Sequence, residues 1–428
     1  MIYTDTRDSS VKVDFKTAVM GGMNAQTGGL YMPVEFPELN KSFLDKIPEP
    51  SFRDIAFESA KPFVEGEIPD ADLQAIIADA YPFNAQVVPI DPVSYVLELF
   101  HGPTCAFKDF GARFMGKMMG ILNENEQVIV LTATSGDTGS AVANGFYGVK
   151  GVKVVVLYPA DKISSLQEAQ MTTLYNNVYP LKVSGTFDDC QRMVKSMFSD
   201  EDLRKDVNIT SANSINILRW IPQAFYYFYG WCAWQELTES VQPEIVVPSG
   251  NYGNLTAGML AHRMGLPVKG FVAASNANDV IPEFLNTAEY RPRPSVQTLA
   301  NAMDVGAPSN YERMMSLCNN SIDDLRAEVQ GFSASDKEIL ETIKDIEQNY
   351  GYLSCPHSAV GYAATKYLKC DGFWLSTAHA AKFGQVTECA IGEKPQLPDS
   401  MEQLLCKKRI FTEIPASNEV LKNYLLQV

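Results

Sequence analysis

The stretch "HGPTCAFKDF", His101–Phe110, places Lys108 among small and apolar residues with an acid, Asp109, directly behind it. After it Phe110, Phe114, Met115, Met118, Met119 and Leu122 recur at helical spacing, so Lys108 belongs just before or in the first turn of a helix. A helix N-terminus carries partial positive charge and disfavours an ammonium. A largely desolvated setting acts in the same direction, toward the neutral amine. A neutral lysine can condense with an aldehyde. A solvated first-turn lysine fits these residues about as well, so the stretch alone leaves both readings open.

Two further stretches are suited to anions. In "VVPSGNYGNLTAGMLAHRMG" an apolar run leads into Ser249, Gly250, Asn251, Tyr252, Gly253 and Asn254 and then into a helix. Glycines let such a turn present backbone N–H groups, and the helix start adds its dipole, which together make a phosphate cradle. The sequence carries neither the dinucleotide G-x-G-x-x-G pattern nor a P-loop ending, which disfavours both common nucleotide sites. "QVIVLTATSGDTGSAVANGFYG" repeats the layout through Thr134, Ser135, Gly136, Asp137, Thr138 and Gly139. Asp137 reads locally as a helix cap, and a plain Asn/Gly turn accounts for "SGNYGN" taken alone. Two such turns in one chain predict two anionic groups along one sheet edge, because ligands gather at the carboxyl ends of strands.

"FWLSTAHAAKFGQV" adds Ser376, Thr377, His379 and Lys382 at the end of a short strand. A hydroxyl there suits a pyridine nitrogen and Lys382 suits an anion, while His379 reads first as a structural imidazole. A lysine beside an anion cradle, without metal or nucleotide motifs, points to pyridoxal 5'-phosphate.

The elements that must position these residues follow from hydrophobic patterning. "SYVLELF" (94–100), "QVIVLTA" (127–133), "VKVVVLYPA" (152–160), "EIVVPS" (244–249) and "VKGFVAAS" (268–275) are short β-branched runs, and helix-length stretches alternate with them. That alternation predicts an α/β fold with parallel sheets. In the first 90 residues "DFKTAVMGGM" is amphipathic, "TGGLYMPVEFPEL" reads as a loop, and "SFRDIAFESAKPFV" and "DADLQAIIADAY" read as helices, the second with an Asp cap. Two prolines in "VVPIDPVS" predict a boundary there. Segment 276–330 is rich in Asn and Pro and reads as irregular; "SDKEILETIKDIEQNYG" reads as a capped helix ending at Gly351.

Composition narrows the function classes. A chain of 428 residues exceeds the usual single core, so two or three domains are expected. A net charge of −16 argues against nucleic acid as the main partner. An anionic substrate would need a local cluster of donors. Eight cysteines without a C-x-x-C, and four scattered histidines, signal neither a metal site nor a dithiol motif. No apolar run reaches membrane-spanning length, and "MIYTDTRDSSVKVDF" lacks the features of a signal peptide, so a cytoplasmic location without membrane partners is expected.

Taken together, "LFHGPTCAFKDFGARF", "TATSGDTGSA", "SANSINILRWIPQ", "VPSGNYGNLTAG" and "LSTAHAAKF", with "GGLYMP" and "FRDIAFE" near the N-terminus, resemble the threonine synthases of microbial and fungal type, within the fold-type-II pyridoxal-phosphate enzymes. The resemblance covers nearly the whole chain. It implies a tryptophan-synthase-β-like fold with parallel-sheet large and small domains and a small N-terminal domain over 1–90. Residues 91–428 would form the catalytic region, a small subdomain of about 105–210 being inserted in a large one of 91–104 and 211–428. It implies conversion of O-phospho-L-homoserine and water to L-threonine and phosphate, by γ-elimination and then β-addition. By position, Lys108 would be the Schiff-base lysine and proton shuttle, and Ser249, Gly250, Asn251, Tyr252, Gly253 and Asn254 would hold the cofactor phosphate. Thr377 would face the pyridine nitrogen and Asp137 the cofactor's 3′ oxygen. Thr134, Ser135 and Thr138 would take the substrate carboxylate, and Thr104, in the approach to the amine, would also bind substrate. Arg113, Arg219 and Lys382 are the candidate cations for the leaving phosphate, and Lys61 a weaker one.

The chain departs from the pattern at Ala380, where many relatives have proline, and at Asp137, where other fold-type-II enzymes have asparagine. A monomer or homodimer is expected, without plant-type activation by S-adenosylmethionine. A different fold-type-II lyase, such as a threonine dehydratase, fits less well because of the N-terminal motifs. A catalytically silent relative fits less well because Lys108 is intact.

Overall fold

Strands that are apolar on both faces need cover on both sides. The computed structural model, which describes residues 1–44, 51–123, 126–160 and 163–428, supplies that cover with helices. The strands are β1 (Tyr3–Asp5), β2 (Lys12–Val13), β3 (Tyr31–Pro33), β4 (Gln86–Asp91), β5 (Ser94–Glu98), β6 (Val128–Ala133), β7 (Val152–Pro159), β8 (Val178–Ser184), β9 (Ile209–Thr210), β10 (Glu244–Pro248), β11 (Gly270–Ser275), β12 (Val329–Ser333), β13 (Gly372–Ser376) and β14 (Thr412–Pro415). They form an antiparallel sheet of order β2-β1-β3, a six-stranded sheet of order β12-β11-β10-β13-β5-β4, and a five-stranded parallel sheet of order β14-β8-β7-β6-β9. The six-stranded sheet is parallel except at its β4 edge. All five strands expected from the apolar runs are present, and the fold is α/β. Among the described residues no helix is long and apolar enough to cross a membrane.

Several local expectations change. β3 lies within the stretch read as a loop and pairs with β1. β4 runs through the proline-marked boundary: Pro89 sits on an edge strand, beside a shift of register before Asp91, where a missing N–H is tolerated. The helix Asp70–Ala80 follows Pro69 and has no side-chain cap, so the expected Asp cap is absent. Segment 276–330 holds the helices Val280–Thr287, Tyr311–Leu317 and Ile322–Glu328, short elements whose Asn and Pro connectors dominated the composition. By contrast the helix Asp336–Tyr350 has its Ser335 capping box and ends at Gly351 with φ 65°, as expected. The C-terminal β14 pairs with β8, Ile414 opposite Val183, so the tail completes the five-stranded sheet. The expected division, which gave all of 211–428 to the other unit, did not include that return.

The helix Lys108–Leu122 (the lysine helix) packs on the helix Asp137–Gly145 through two glycines. A Cβ on Gly116 would lie 2.2 Å from the Gly145 carbonyl oxygen, and one on Gly145 would lie 2.6 Å from the Ala112 carbonyl. This backbone-to-backbone contact ties the lysine to the Asp137 turn. We expect Gly116→Ala to cost about 1–3 kcal/mol through overpacking. Urea unfolding reads this directly, and unchanged stability would show that the helices part there freely.

Candidate active site

Three turns leave one edge of the six-stranded sheet. β5, β13 and β10 are parallel and adjacent, and their C-terminal ends lead to His101–Lys108, to Thr377–Lys382 and to Ser249–Asn254. The Thr134–Gly139 turn leaves β6 of the other sheet. The two cradle-like turns therefore do not share a sheet edge, contrary to expectation. Identical strand–turn–helix patterns were sorted into different sheets by long-range pairing.

The lysine and Thr377 stretches lie side by side. The Phe107 N–H donates to the Thr377 carbonyl at 2.8 Å and the His379 N–H to the Cys105 carbonyl at 3.1 Å, around an Ala106–Ala378 bridge. Lys108 opens its helix, as expected. Its Nζ lies 3.8 Å from Asp137 Oδ2, while Lys382 Nζ, with a fully buried side chain, lies 2.9 Å from Asp137 Oδ1. Gln167 Nε2 donates to the same Oδ1 at 3.1 Å. Asp137 is therefore not a cap, and its helix has no side-chain cap; its carboxylate bridges two ammonium groups. Gly136, at φ 135°, makes this possible, since a Cβ there would lie 2.4 Å from Gln167.

Charge and burial compete at these groups. Burial alone would raise the Asp137 carboxyl, but Lys382 and then Lys108 outweigh it and hold it well below the usual carboxylate range. Burial lowers the Lys108 amine below an ordinary lysine; Asp137 opposes this, and the charges of Lys382 and Arg219 add to it. The same cluster contains His357, which the sequence reasoning missed. Burial, opposed by Asp137 and reinforced by Lys108 and Lys382, pushes His357 down to about 3. Its Nε2 accepts the Ala302 N–H at 3.0 Å, which the neutral ring allows. The start of its helix was legible in Pro356 at the first turn, but its facing Asp137 was not. Beside it, Ser358 Oγ accepts the Thr377 N–H at 2.9 Å and fixes the end of β13.

Other expected residues are placed differently. The Thr104 hydroxyl and N–H both donate to Asp109, at 2.7 and 2.8 Å, and its carbonyl accepts from Lys382 Nζ at 2.7 Å. Thr104 therefore shapes the turn and leaves no hydroxyl proton for a substrate. Burial pushes Asp109 up to about 6 against those hydrogen bonds. Gly102 is required there, because a Cβ would lie 2.5 Å from Asp109 Oδ2. Arg113 donates to the Ala80 and Asp79 carbonyls at 2.6 and 2.7 Å, tying off the end of the helix Asp70–Ala80, where carbonyls lack partners. Lys61 pairs with Asp70 at 2.6 Å at the surface. Neither is committed to the site. Arg219 is buried, donates to the Ala212 carbonyl, and its Nε has no partner among the described residues. Burial lowers it to about 10, against the field of Asp109.

Thr134 uses its hydroxyl oxygen to accept the N–H groups of Gly136 and Gly139, at 2.9 and 2.8 Å, while Ser135 and Thr138 remain half-buried. In the second turn the side chains also face inward. Ser249 Oγ donates to Asn254 Oδ1 at 2.7 Å and Asn254 Nδ2 to the Pro248 carbonyl at 2.8 Å. Tyr252 takes φ 58°, and a Cβ on Gly250 would lie 2.5 Å from Met303 Cα. Among the described residues no acceptor meets the backbone N–H groups of Gly250, Asn251, Tyr252, Gly253 or Asn254. An open run of donors at a helix start fits a phosphate, and the desolvated amine of Lys108 fits an aldehyde. These residues match pyridoxal phosphate.

Comparison with known proteins agrees with this chemistry. A family model described as "Pyridoxal-phosphate dependent enzyme" matches residues 83–373. Models described as "Threonine synthase N terminus" and "Threonine synthase, C-terminal" match 2–81 and 358–425. The chain is similar to the threonine synthase of Serratia marcescens, with 39% identity over 98% of each chain. It is similar in structure to the pyridoxal-phosphate-bound threonine synthase of Brucella melitensis, with a TM-score of 0.94, 32% identity, and coverage of 100% of this chain and 99% of that one. The Escherichia coli threonine synthase structure gives a TM-score of 0.91 and 39% identity, with full coverage of both chains.

The buried imidazole carries a pH signature. The folded-state value of His357 lies below the ordinary 6.5, so the stability it carries is intact above about pH 6.5 and is lost as pH falls toward 3. We expect His357→Gln, which keeps an acceptor for Ala302, to lose stability less steeply than the parent between pH 6.5 and 4. Urea midpoints across that range supply the comparison, and parallel slopes would assign the acid sensitivity elsewhere.

Proposed function

Because the chain belongs to the threonine synthase family of pyridoxal-phosphate-dependent enzymes, we propose that it converts O-phospho-L-homoserine and water to L-threonine and inorganic phosphate. One observation carries the reading: a desolvated lysine amine, 3.8 Å from a carboxylate that a second buried lysine already holds. The cofactor, when bound, supplies an electron sink that lets protons leave Cα and then Cβ of the substrate. Phosphate departs from Cγ, protons return to Cγ and Cα, and the oxygen of water adds at Cβ.

The chain's own residues divide the remaining work. The open N–H groups of Gly250–Asn254 would hold the cofactor phosphate, with Ser249 and Asn254 bracing the turn. Thr377, at the end of β13 beside Phe107, would offer its hydroxyl to the pyridine nitrogen. The Lys108 amine would hold the cofactor's aldehyde and move the protons. A lowered pKa suits a group that must accept and return them near neutral pH. Asp137 stays ionised and fixes the spacing of Lys108 and Lys382, and it is the residue that would face the cofactor's 3′ oxygen. Ser135 and Thr138 bind the substrate carboxylate, while Thr134 shapes their turn. Lys382 is occupied by Asp137 and the Thr104 carbonyl, which makes Arg219 the favoured cation for the leaving phosphate.

Phosphate release from O-phosphohomoserine, coupled to threonine detection, tests the reaction; equal turnover of homoserine or serine would sink it. Borohydride should fix the cofactor to a peptide containing Lys108, and Lys108→Ala should lower the rate by roughly 10²–10⁴-fold or more. Asp137→Asn leaves Lys382 buried without a counter-charge. We expect it to cost about 3–5 kcal/mol in urea unfolding of the holoenzyme, and a stability within experimental scatter of the parent would show that the pair is not needed.

A further inference from the structure

The turn with open N–H groups is braced from below by an arginine. Arg313 lies in the helix Tyr311–Leu317 and is wholly buried. Its Nη1 donates to the Ser214 carbonyl at 2.6 Å and to Asn310 Oδ1 at 2.8 Å, and its Nη2 to the Ile215 carbonyl at 2.5 Å. Its guanidinium carbon lies 4.7 Å from the Trp220 ring centre. Among the described residues no carboxylate pairs with it, its Nε has no partner, and the neighbouring Glu312 is engaged by Arg7. A buried cation without an anion is strongly disfavoured, and burial pushes this guanidinium down to about 9.

The groups around that cation lead to the turn. Asn310 Nδ2 donates to the Asn251 carbonyl at 2.9 Å and to Ser214 Oγ at 3.2 Å, and Asn251 Nδ2 donates to the same Oγ at 2.8 Å. Trp220 Nε1 donates to Thr256 Oγ at 3.1 Å, in the helix Gly253–Arg263 that the turn begins. A Cβ on Gly253 would lie 3.3 Å from Asn310 Nδ2. Carbonyls and an amide oxygen solvate the guanidinium without cancelling its charge. In a chain of net charge −16, that leaves a fixed positive charge two hydrogen bonds from a row of unused N–H donors.

We infer that Arg313 is a positioning residue for the cofactor phosphate: it fixes Asn310 and Ser214, through them Asn251, and its unpaired charge is balanced when a phosphate dianion enters the turn Gly250–Asn254. The inference rests on the reading that this turn holds that phosphate. It separates Arg313 from an arginine that only holds the fold together, because a residue that acts on the phosphate turn distinguishes ligands with and without a phosphate.

The test compares pyridoxal phosphate with pyridoxal, which lacks the phosphate, in equilibrium binding to the full chain after cofactor removal. Arg313→Met should weaken pyridoxal phosphate by about tenfold or more and change pyridoxal by less than about twofold, with Arg313→Lys recovering part of the loss. Equal weakening of both ligands, or of neither, overturns the proposal. If Arg313→Met does not fold, Asn310→Asp sets a carboxylate against the guanidinium and cancels its charge in place. The same selective loss is then expected, and undiminished pyridoxal phosphate binding overturns the proposal. Gly250→Ala disturbs the turn itself. If it is selective and Arg313→Met is not, only the role of Arg313 falls; if Gly250→Ala is also unselective, the placement of the phosphate falls with it.

Discussion

The site depends on a carboxylate shared by two lysines, Lys382 wholly buried and Lys108 mostly so. Asp137 lies 2.9 Å from Lys382 Nζ and 3.8 Å from Lys108 Nζ, and neither it nor Lys382 reaches solvent to any extent. Charges this deeply buried are tolerable only when each is paired and hydrogen-bonded. The arrangement therefore requires three chain segments to meet: the turn after β6, the start of the lysine helix, and the loop after β13. Asp137 holds both lysines, so displacing the turn after β6 leaves Lys382 without its counter-charge. Since β6 belongs to one sheet and β13 to the other, this requirement also couples the two sheets.

The approach to Lys108 is built to keep that geometry. Asp109 accepts from the Thr104 N–H and hydroxyl, which curls the preceding turn over the helix start. Gly102 leaves room for the carboxylate, and Cys105 takes φ 52° within the curl. The freed Thr104 carbonyl then receives Lys382. A hydroxyl that the motif suggested for substrate is spent on shape, and its backbone oxygen becomes a ligand for the second lysine. The Gly116–Gly145 contact adds rigidity below, since backbone packed on backbone has few other arrangements.

The two turns use the same grammar for different ends. In each, side chains face inward and stiffen the loop: the Thr134 hydroxyl after β6, and the Ser249 hydroxyl with the Asn254 amide after β10. After β10 this leaves N–H groups open for a phosphate. After β6 it directs a carboxylate at two lysines. The difference comes from what lies opposite each turn: the braced layer of Ser214, Asn310 and Arg313 in one case, and Lys108, Lys382 and Gln167 in the other.

What the sequence determined by itself is local. Apolar runs set the five main strands, spacing set the lysine helix, and Gly-rich turns marked both anion-suited loops, because alternation, helical period and turn chemistry act over a few residues. The motifs also brought Lys108, Asp137, Thr377, Lys382 and the Ser249–Asn254 turn into view as candidates. Tertiary structure alone decided where side chains went. It drew Arg113 to the carbonyls of an N-terminal helix, Lys61 to Asp70, and Asp137 away from capping. It placed His357 in the cluster, Arg313 beneath the turn, and β14 on the five-stranded sheet. These outcomes turn on burial and on pairings between residues far apart in the chain, such as Lys382 with Thr104 at a separation of 278. No local pattern encodes which distant partner a buried charge will find.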